Sequence, residues 1–360
     1  MDDYFMAARL RSARTVLPII IGLFVFVARV FPQGCMPAPF MVPKFGYGGI
    51  PHLEARQWEA SISYRYLGPG DAYIGDEIWP LGKKIGARVW IHSIDLQATY
   101  AFTPRYSAAL TMPFVHGDRS TVLDHDGTRH TTSAGGLGDL RLVGYAWLLN
   151  PDKPIDGNIS LGIGVKAPTG DDKATDTFHK STGPEIRPVD VSIQPGDGGW
   201  GLHLELAGYQ KIIDRLYGYV SGFYLVNPRE QNDTIATLPY PPGPNGAVRK
   251  NSVADQYLGR AGFSYGIWPQ QGLSLSFGGR VDGIPTRDLV GGSEGFRRPG
   301  YAVYVEPGLQ WTKGRNIFNL YTPVLMAANR QKNIYDDRYG THGPAAFADF
   351  LIISSFSRAF

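Results

Sequence analysis

Hydrophobic and polar residues alternate along most of the chain. In the stretch NISLGIGVK (158–166), isoleucine, leucine and valine occupy every second position from Ile159 to Val165, serine and glycine lie between them, and Lys166 follows. A strict period of two indicates a β-strand with one apolar and one polar face. The same pattern predicts twelve strands, at 56–66, 94–102, 106–114, 139–149, 158–166, 199–210, 216–226, 256–268, 273–283, 301–311, 316–326 and 347–360.

The connections between these strands alternate in length. Short turns rich in proline, glycine and aspartate lie at 103–105, 150–157, 212–215, 269–272 and 313–315. Long polar segments lie between them, at 67–87, 116–137, 168–198, 227–254, 285–300 and 327–345. Loops longer than about 15 residues are uncommon in compact soluble domains. The alternation of short and long connections is expected for a membrane barrel, because its tight turns lie at the periplasmic rim and its longer loops at the outer rim.

The pattern therefore predicts an all-β fold, a transmembrane antiparallel β-barrel of about 12 strands. Apolar side chains such as Ile159, Leu161, Ile163 and Val165 should face lipid, and Lys166 the interior. The alternative is a soluble sandwich or lipocalin-like barrel, in which the apolar face would point inward. Aromatic residues near strand ends favour the membrane barrel, because they fit its interfacial girdles: Trp58, Tyr66, Trp90, Phe102, Trp147, Trp200, Trp268 and Trp311.

Composition agrees with many strands and turns, since the chain has 45 glycines, 20 tyrosines and 18 phenylalanines. The single cysteine, Cys35, excludes a disulfide within the chain, and its PQGC setting is a poor lipidation signal. The net charge of +3 comes without a basic run, which argues against nucleic acid as a partner.

The N-terminus predicts export. Three arginines precede the apolar stretch 15–28, which is too short to cross a bilayer comfortably, so we expect a signal peptide at 1–35 rather than an uncleaved anchor. Residues 36–54 would form an N-terminal periplasmic or lumenal plug segment, with Phe45, Tyr47 and Ile50 along the solute path. The barrel would then occupy 55–360.

Two further stretches resemble known outer-membrane proteins. The C-terminal Phe360, with Phe356 and Ile352 on the same strand face, resembles the terminal aromatic signal of bacterial outer-membrane proteins. The stretch GGLGDLRLVGYAWLL (135–149), followed by LGIGVKAPTGDD (161–172), resembles the central hairpin of the outer-membrane channel family named after the MetA pathway of phenol degradation. That resemblance implies a twelve-stranded barrel, uptake of small aromatic or apolar compounds, and an N-terminal segment in or near the lumen.

Sorting the strands by face gives a charged interior set of mixed sign. Its members are Glu59, Arg65, Asp95, Asp139, Arg141, Lys166, His203, Glu205, Arg260, Arg280, Asp282 and Glu306. We expect ion pairs that brace the lumen; a selectivity constriction is the alternative, although no ring of one sign is evident. His203 and Glu205 could begin a metal or acid–base site, but two groups do not complete one. The sequence thus predicts no catalytic residues, no metal and no cofactor.

Taken together, these patterns predict a channel in the outer membrane of a Gram-negative bacterium for passive uptake of small apolar or aromatic solutes. Its expected partners are outer-membrane lipid and the solute, and the sequence identifies no protein partner. Two alternatives stay open. One is a structural or adhesive barrel that acts through its outer loops, and the other is a membrane-embedded hydrolase using one of the interior serines, for example Ser221.

Overall fold

The computed structural model describes residues 52–153, 155–236 and 249–360. The predicted signal peptide (1–35) and most of the predicted plug segment, including Phe45, Tyr47 and Ile50, lie outside the described residues.

Strands dominate the described residues. In chain order they are β1 (Trp58–Leu67), β2 (Ala72–Ile74), β3 (Glu77–Ile78), β4 (Arg88–Ala101), β5 (Tyr106–Thr121), β6 (His130–Leu137), β7 (Leu140–Trp147), β8 (Gly157–Ala167), β9 (Thr175–Lys180), β10 (Gly183–Pro188), β11 (Gly201–Ile213), β12 (Leu216–Val226), β13 (Gln231–Ile235), β14 (Lys250–Ser252), β15 (Gln256–Trp268), β16 (Leu273–Ile284), β17 (Gly300–Lys313), β18 (Asn316–Tyr321), β19 (Val324–Arg330), β20 (Ala345–Ala346) and β21 (Leu351–Ala359). The helices are α1 (Gly82–Ile85), α2 (Ile334–Tyr339) and a 3-10 turn, Pro269–Gln271. Among the described residues, no helix is both long and apolar enough to cross a membrane.

Twelve of the described strands close into an antiparallel barrel. Its order is β16, β15, β12, β11, β8, β7, β5, β4, β1, β21, β18 and β17, and β17 pairs again with β16. At two places in the barrel, two consecutive strands together fill the place of one. β6 and β7 both pair with β5, and β18 and β19 both pair with β17. The predicted fold class, an antiparallel β-barrel of about 12 strands, is confirmed.

The two rims of the barrel differ as the loop lengths predict. The five short turns and both ends of the strand series, the start of β1 and the end of β21, lie at one rim, which we call the turn rim. The long connections lie at the opposite loop rim, and several carry strands of their own, such as the β9–β10 hairpin. Gly272 closes one tight turn in the left-handed region (φ 68°), and a Cβ there would overlap the Thr312 carbonyl, so this position requires glycine.

The barrel wall is apolar on its outer face. Ile163 is 62% exposed, and Leu161 and Val165 are exposed beside it, as the alternation predicts. Ile159 lies on the same face but is only 6% exposed. Trp147 departs from the prediction. It shares the inward parity of Arg141 and packs inside with Tyr219, not in an outer girdle.

At the loop rim, the interior of the barrel is filled by an apolar core of loop and wall side chains. Val189 and Ile193, from the segment that follows β10, are almost fully buried there, as are Phe347 and Ala348 from the connection before β21. They pack against inward side chains of the barrel, which are Leu67, Val89, Ile91, Ala302, Tyr304, Tyr321, Leu351 and Ile353. Residues 189–197, the mouth segment, therefore fold into the barrel and do not extend from it.

Candidate functional site in the barrel interior

The charged residues predicted for the interior lie on buried positions of the wall. The side chains of Glu205 and Asp282 are 15% and 13% exposed, and those of Arg65, Asp95, Lys166, Arg260, Arg280 and Glu306 are less exposed. Glu59, Arg141 and His203 are buried as well, with Glu59 near the turn rim accepting a hydrogen bond from Ser61 Oγ at 3.4 Å. The structure brings most of these residues together in three groups.

The first group joins three neighbouring strands. Glu306 on β17 pairs with Arg260 on β15, and its other oxygen lies 3.8 Å from Arg280 on β16. Arg280 also donates to Asp282 at 2.6 Å. The guanidinium of Arg260 lies over the Tyr321 ring, 4.4 Å from its centroid. Two arginines and two carboxylates thus balance their charge within the wall.

The second group links the wall to the mouth segment. On β1 and β4, Arg65 and Asp95 form an ion pair of 3.1 Å. On β8, Lys166 pairs with Asp197 of the mouth segment and lies 3.6 Å from Asp139. The ammonium of Lys166 therefore holds the inward-folded loop against the wall.

The third group is the predicted pair His203 and Glu205. His203 Nδ1 lies 3.1 Å from Glu205 Oε1, and the Tyr145 hydroxyl donates to Glu205 Oε2 at 2.9 Å. The imidazole stacks on Phe223, with ring centroids 4.9 Å apart. Within residues 52–153, 155–236 and 249–360, no group of three or more His, Cys, Asp or Glu side chains is arranged to hold a metal ion. This group is a buried hydrogen-bonded cluster of the wall.

A cavity of about 80 Å³ lies between the wall and the mouth segment. Its polar lining includes Arg65, Arg141 and Lys166 from the wall, and its apolar lining includes Val115 and Leu225. Residues 192, 194, 195, 196 and 197 of the mouth segment form the opposite side. The mouth segment therefore narrows the opening of the barrel at this point of the loop rim.

Asp190 fixes the mouth segment. Its carboxylate accepts two hydrogen bonds from Arg298, of 2.9 and 2.6 Å, and lies 3.8 Å from Arg119 Nε. It also accepts from the Ser192 hydroxyl at 2.7 Å. Burial would raise the pKa of Asp190, but the two guanidiniums outweigh burial and hold the pKa well below its usual range.

Sequence reasoning missed Asp190 and Asp197 because both lie in a long polar connection. One feature of the sequence does indicate that part of this connection is buried. Val189, Val191 and Ile193 alternate with polar residues inside that connection, and a solvated loop has no need of them.

The fold was compared with those of known proteins, and one similarity is clear. No family model matches the chain, and no curated protein matches it. Among solved structures it is similar to an outer membrane channel from Pseudomonas putida F1, with a TM-score of 0.56 and 15% identity over 87% of this chain and 98% of that one. The two proteins share a fold.

Two other similarities are weaker. The β domain of the Bordetella autotransporter BrkA has a TM-score of 0.47 and 10% identity, over 85% of this chain and all of that one. The Ralstonia pickettii toluene transporter TbuX has a TM-score of 0.44 and 9% identity, over 92% of this chain and all of that one. At these scores neither similarity bears on the fold.

Proposed function

We propose that this protein is an outer-membrane channel of a Gram-negative bacterium for passive uptake of small apolar or aromatic solutes. The observation that carries the proposal is the closed twelve-position barrel, which is apolar on its outer face and charged inside. The shared fold with the channel from Pseudomonas putida F1 supports it, as does the resemblance of residues 135–172 to the channel family of phenol degradation. We propose membership of that family on these two grounds.

The balance of interior charge favours uncharged solutes. Selectivity for ions usually comes from rings of one sign, whereas here the carboxylate of Glu306 is matched by Arg260 and that of Asp95 by Arg65. A twelve-stranded lumen is intermediate in width between filled eight-stranded barrels and open porins. We therefore propose that the twelve residues of the predicted interior set, from Glu59 to Glu306, line the lumen and brace it.

Two segments would control passage. The mouth segment narrows the loop rim, and we propose that residues 36–54 form a plug that meets the solute through Phe45, Tyr47 and Ile50. Residues 1–35 would be removed on export. The proposal assigns the protein no enzymatic activity; labelling of an interior serine such as Ser221 by a serine-directed activity probe would support a hydrolase.

Single-channel recording tests the proposal. The mature chain (36–360), refolded and inserted in a planar bilayer, should conduct in small steps, and deletion of residues 36–54 should enlarge them. The matched control replaces 36–54 by a glycine–serine segment of equal length, which removes the aromatic side chains but keeps the tether. Absence of conductance from all three proteins, with folding shown by heat-modifiable gel mobility, would contradict a channel.

A further inference from the structure

Three histidines from two hairpins meet outside the barrel at the loop rim. His125 lies in the connection between β5 and β6, His130 begins β6, and His179 lies on β9. The ring centroids of His130 and His179 are 4.2 Å apart in a stacked arrangement, and those of His125 and His130 are 4.9 Å apart. We call these residues the histidine cluster.

His125 joins the two hairpins. Its Nδ1 accepts a hydrogen bond of 3.2 Å from the backbone N–H of His179, and its ring stacks on the fully buried Phe178 with centroids 5.4 Å apart. A protonated imidazole carries N–H groups at both nitrogens and accepts no hydrogen bond. This contact between the hairpins therefore requires neutral His125.

Two cationic side chains lie near the same contact, and one of them, Arg187, is 4.0 Å from the Glu185 carboxylate. The Lys180 ammonium and the Arg187 guanidinium each lie 5.8 Å from the Phe178 ring centroid, and Lys180 also donates to the Asp124 carbonyl. The carboxylate of Asp124 is already paired with Arg119. A proton added to His125 would therefore enter a region with cations on the β9–β10 side.

Among the described contacts, only one other carboxylate faces the histidine cluster. It contacts His130 and not His125. Asp126 Oδ1 lies 3.3 Å from His130 Nε2 and accepts from the Thr128 hydroxyl at 2.6 Å. Burial lowers the pKa of His125, and His130, Lys180 and His179 lower it further, whereas Asp124 opposes them. The closed contact thus favours the neutral ring.

We propose that the histidine cluster is an acid-sensitive latch: protonation of His125 releases the β9–β10 hairpin from the β5–β6 hairpin. The hairpin ends at Pro188, and the mouth segment begins at the next residue, Val189. Release would therefore loosen the end of the segment that narrows the barrel. The inference goes beyond solute uptake and stands on contacts outside the lumen.

Because the closed form holds His125 neutral and the open form titrates near the ordinary value, the latch is closed above about pH 6.5 and weakens as the pH falls below it. Between pH 7.5 and 5.5 one histidine lowers the closed-to-open ratio by up to about tenfold.

Electron–electron distance measurements test the latch in the full mature chain in liposomes. Nitroxide labels are placed by Leu123→Cys and Ser181→Cys, one on each hairpin, in the mature chain (36–360), which has no other cysteine. Acidification from pH 7.5 to 5.5 should lower the ratio of the short, narrow distance component to a longer, broader one by up to about tenfold. His125→Gln, whose amide oxygen can accept from the His179 N–H but does not titrate, should stay closed at both pH values.

His116→Gln is the matched control, because His116 is an exposed histidine of β5 with its own carboxylate partner, Asp118 at 3.5 Å. It should leave the pH response unchanged. Equal distances at both pH values in the labelled protein that keeps His125 would overturn the latch. So would an acid response in His125→Gln as large as the response of the protein that keeps His125. A response to zinc at constant pH without a response to acid would also overturn it, in favour of metal binding. None of these readouts depends on conductance, so failure of the latch and of the channel are distinguishable.

Discussion

At the scale of single residues, Glu306 is a buried charge of the barrel wall that contacts two cations. Its side chain is 1% exposed, and its two oxygens face arginines on β15 and β16. An ion pair in such a place contributes little beyond the cost of removing both charges from water. Loss of one member is different, because the remaining charges stay buried without compensation.

Substitution Glu306→Gln should accordingly destabilise the barrel by about 3–5 kcal/mol, the usual result of breaking a buried pair from one side. Urea unfolding in liposomes, followed by tryptophan fluorescence, measures it. Asp233→Asn is the matched control, since Asp233 is 60% exposed and its pairs with Arg229 and Lys250 lie in solvent. Equal unfolding midpoints for Glu306→Gln and the wild type would contradict the bracing role.

At the scale of elements, alternation predicted every barrel strand because each must keep an apolar outer face over the membrane. It fails where that requirement ends. The sequence predicts a loop at β6, since HTTSAGGL has no apolar alternation. In the structure this strand pairs only with β5, beyond the stretch of β5 that pairs with β7. The start of β4 was missed for a related reason. There Val89 and Ile91 point inward to the buried loops, so the apolar face is on the inside.

The same limit applies to the candidate site. Inward positions such as Arg65 and Arg260 could be read from strand parity, which fixes the face without knowledge of the neighbours. Their partners in loops could not. The pair of Lys166 with Asp197 depends on the mouth segment turning into the barrel, and a connection of this length has many conformations that its sequence alone does not rank.

Asp190→Asn should release that segment. The amide keeps the shape but loses the charge that holds Arg298 and Arg119, and hydrogen bonds to charged groups contribute about 1.5–3 kcal/mol each. Amide hydrogen exchange of residues 189–197 should therefore accelerate by roughly tenfold to a hundredfold at pH 7. Mass spectrometry of the protein in lipid nanodiscs measures this.

The pH dependence of this effect has a definite sign. The pKa of Asp190 is held low in the folded protein, so its contribution is complete above the ordinary aspartate value of about 3.9 and is lost as the pH falls below it. The difference between variant and wild type should shrink in acid. Asp214→Asn, at a side chain 76% exposed in a tight turn, is the control, and equal exchange in Asp190→Asn and wild type would show that the carboxylate does not fix the segment.

At the scale of the whole molecule, the barrel has an apolar outer face and two different interior regions. Charged pairs occupy the body of the lumen, and an apolar core of barrel and loop side chains occupies the loop rim. The outer face carries exposed leucine, isoleucine, valine and phenylalanine along the strands, for which water is a poor environment. Lipid removes that cost, so the stability of the barrel should depend on what surrounds it.

Substitutions at two exposed isoleucines distinguish the stabilisation that comes from lipid contact from the effect of surface exposure alone. Ile163 lies six residues from the start of β8, about 15 Å above the turn rim for a rise of 3.3 Å per residue and a tilt near 40°. Ile186 is 75% exposed on β10, outside the barrel. In a bilayer, Ile163→Arg should cost about 2–4 kcal/mol, as arginine does near the midplane of other barrels, and Ile186→Arg should cost nearly nothing. Reversible unfolding from liposomes measures both, and a similar cost at the two positions would mean that the exposed strand face is not a lipid face.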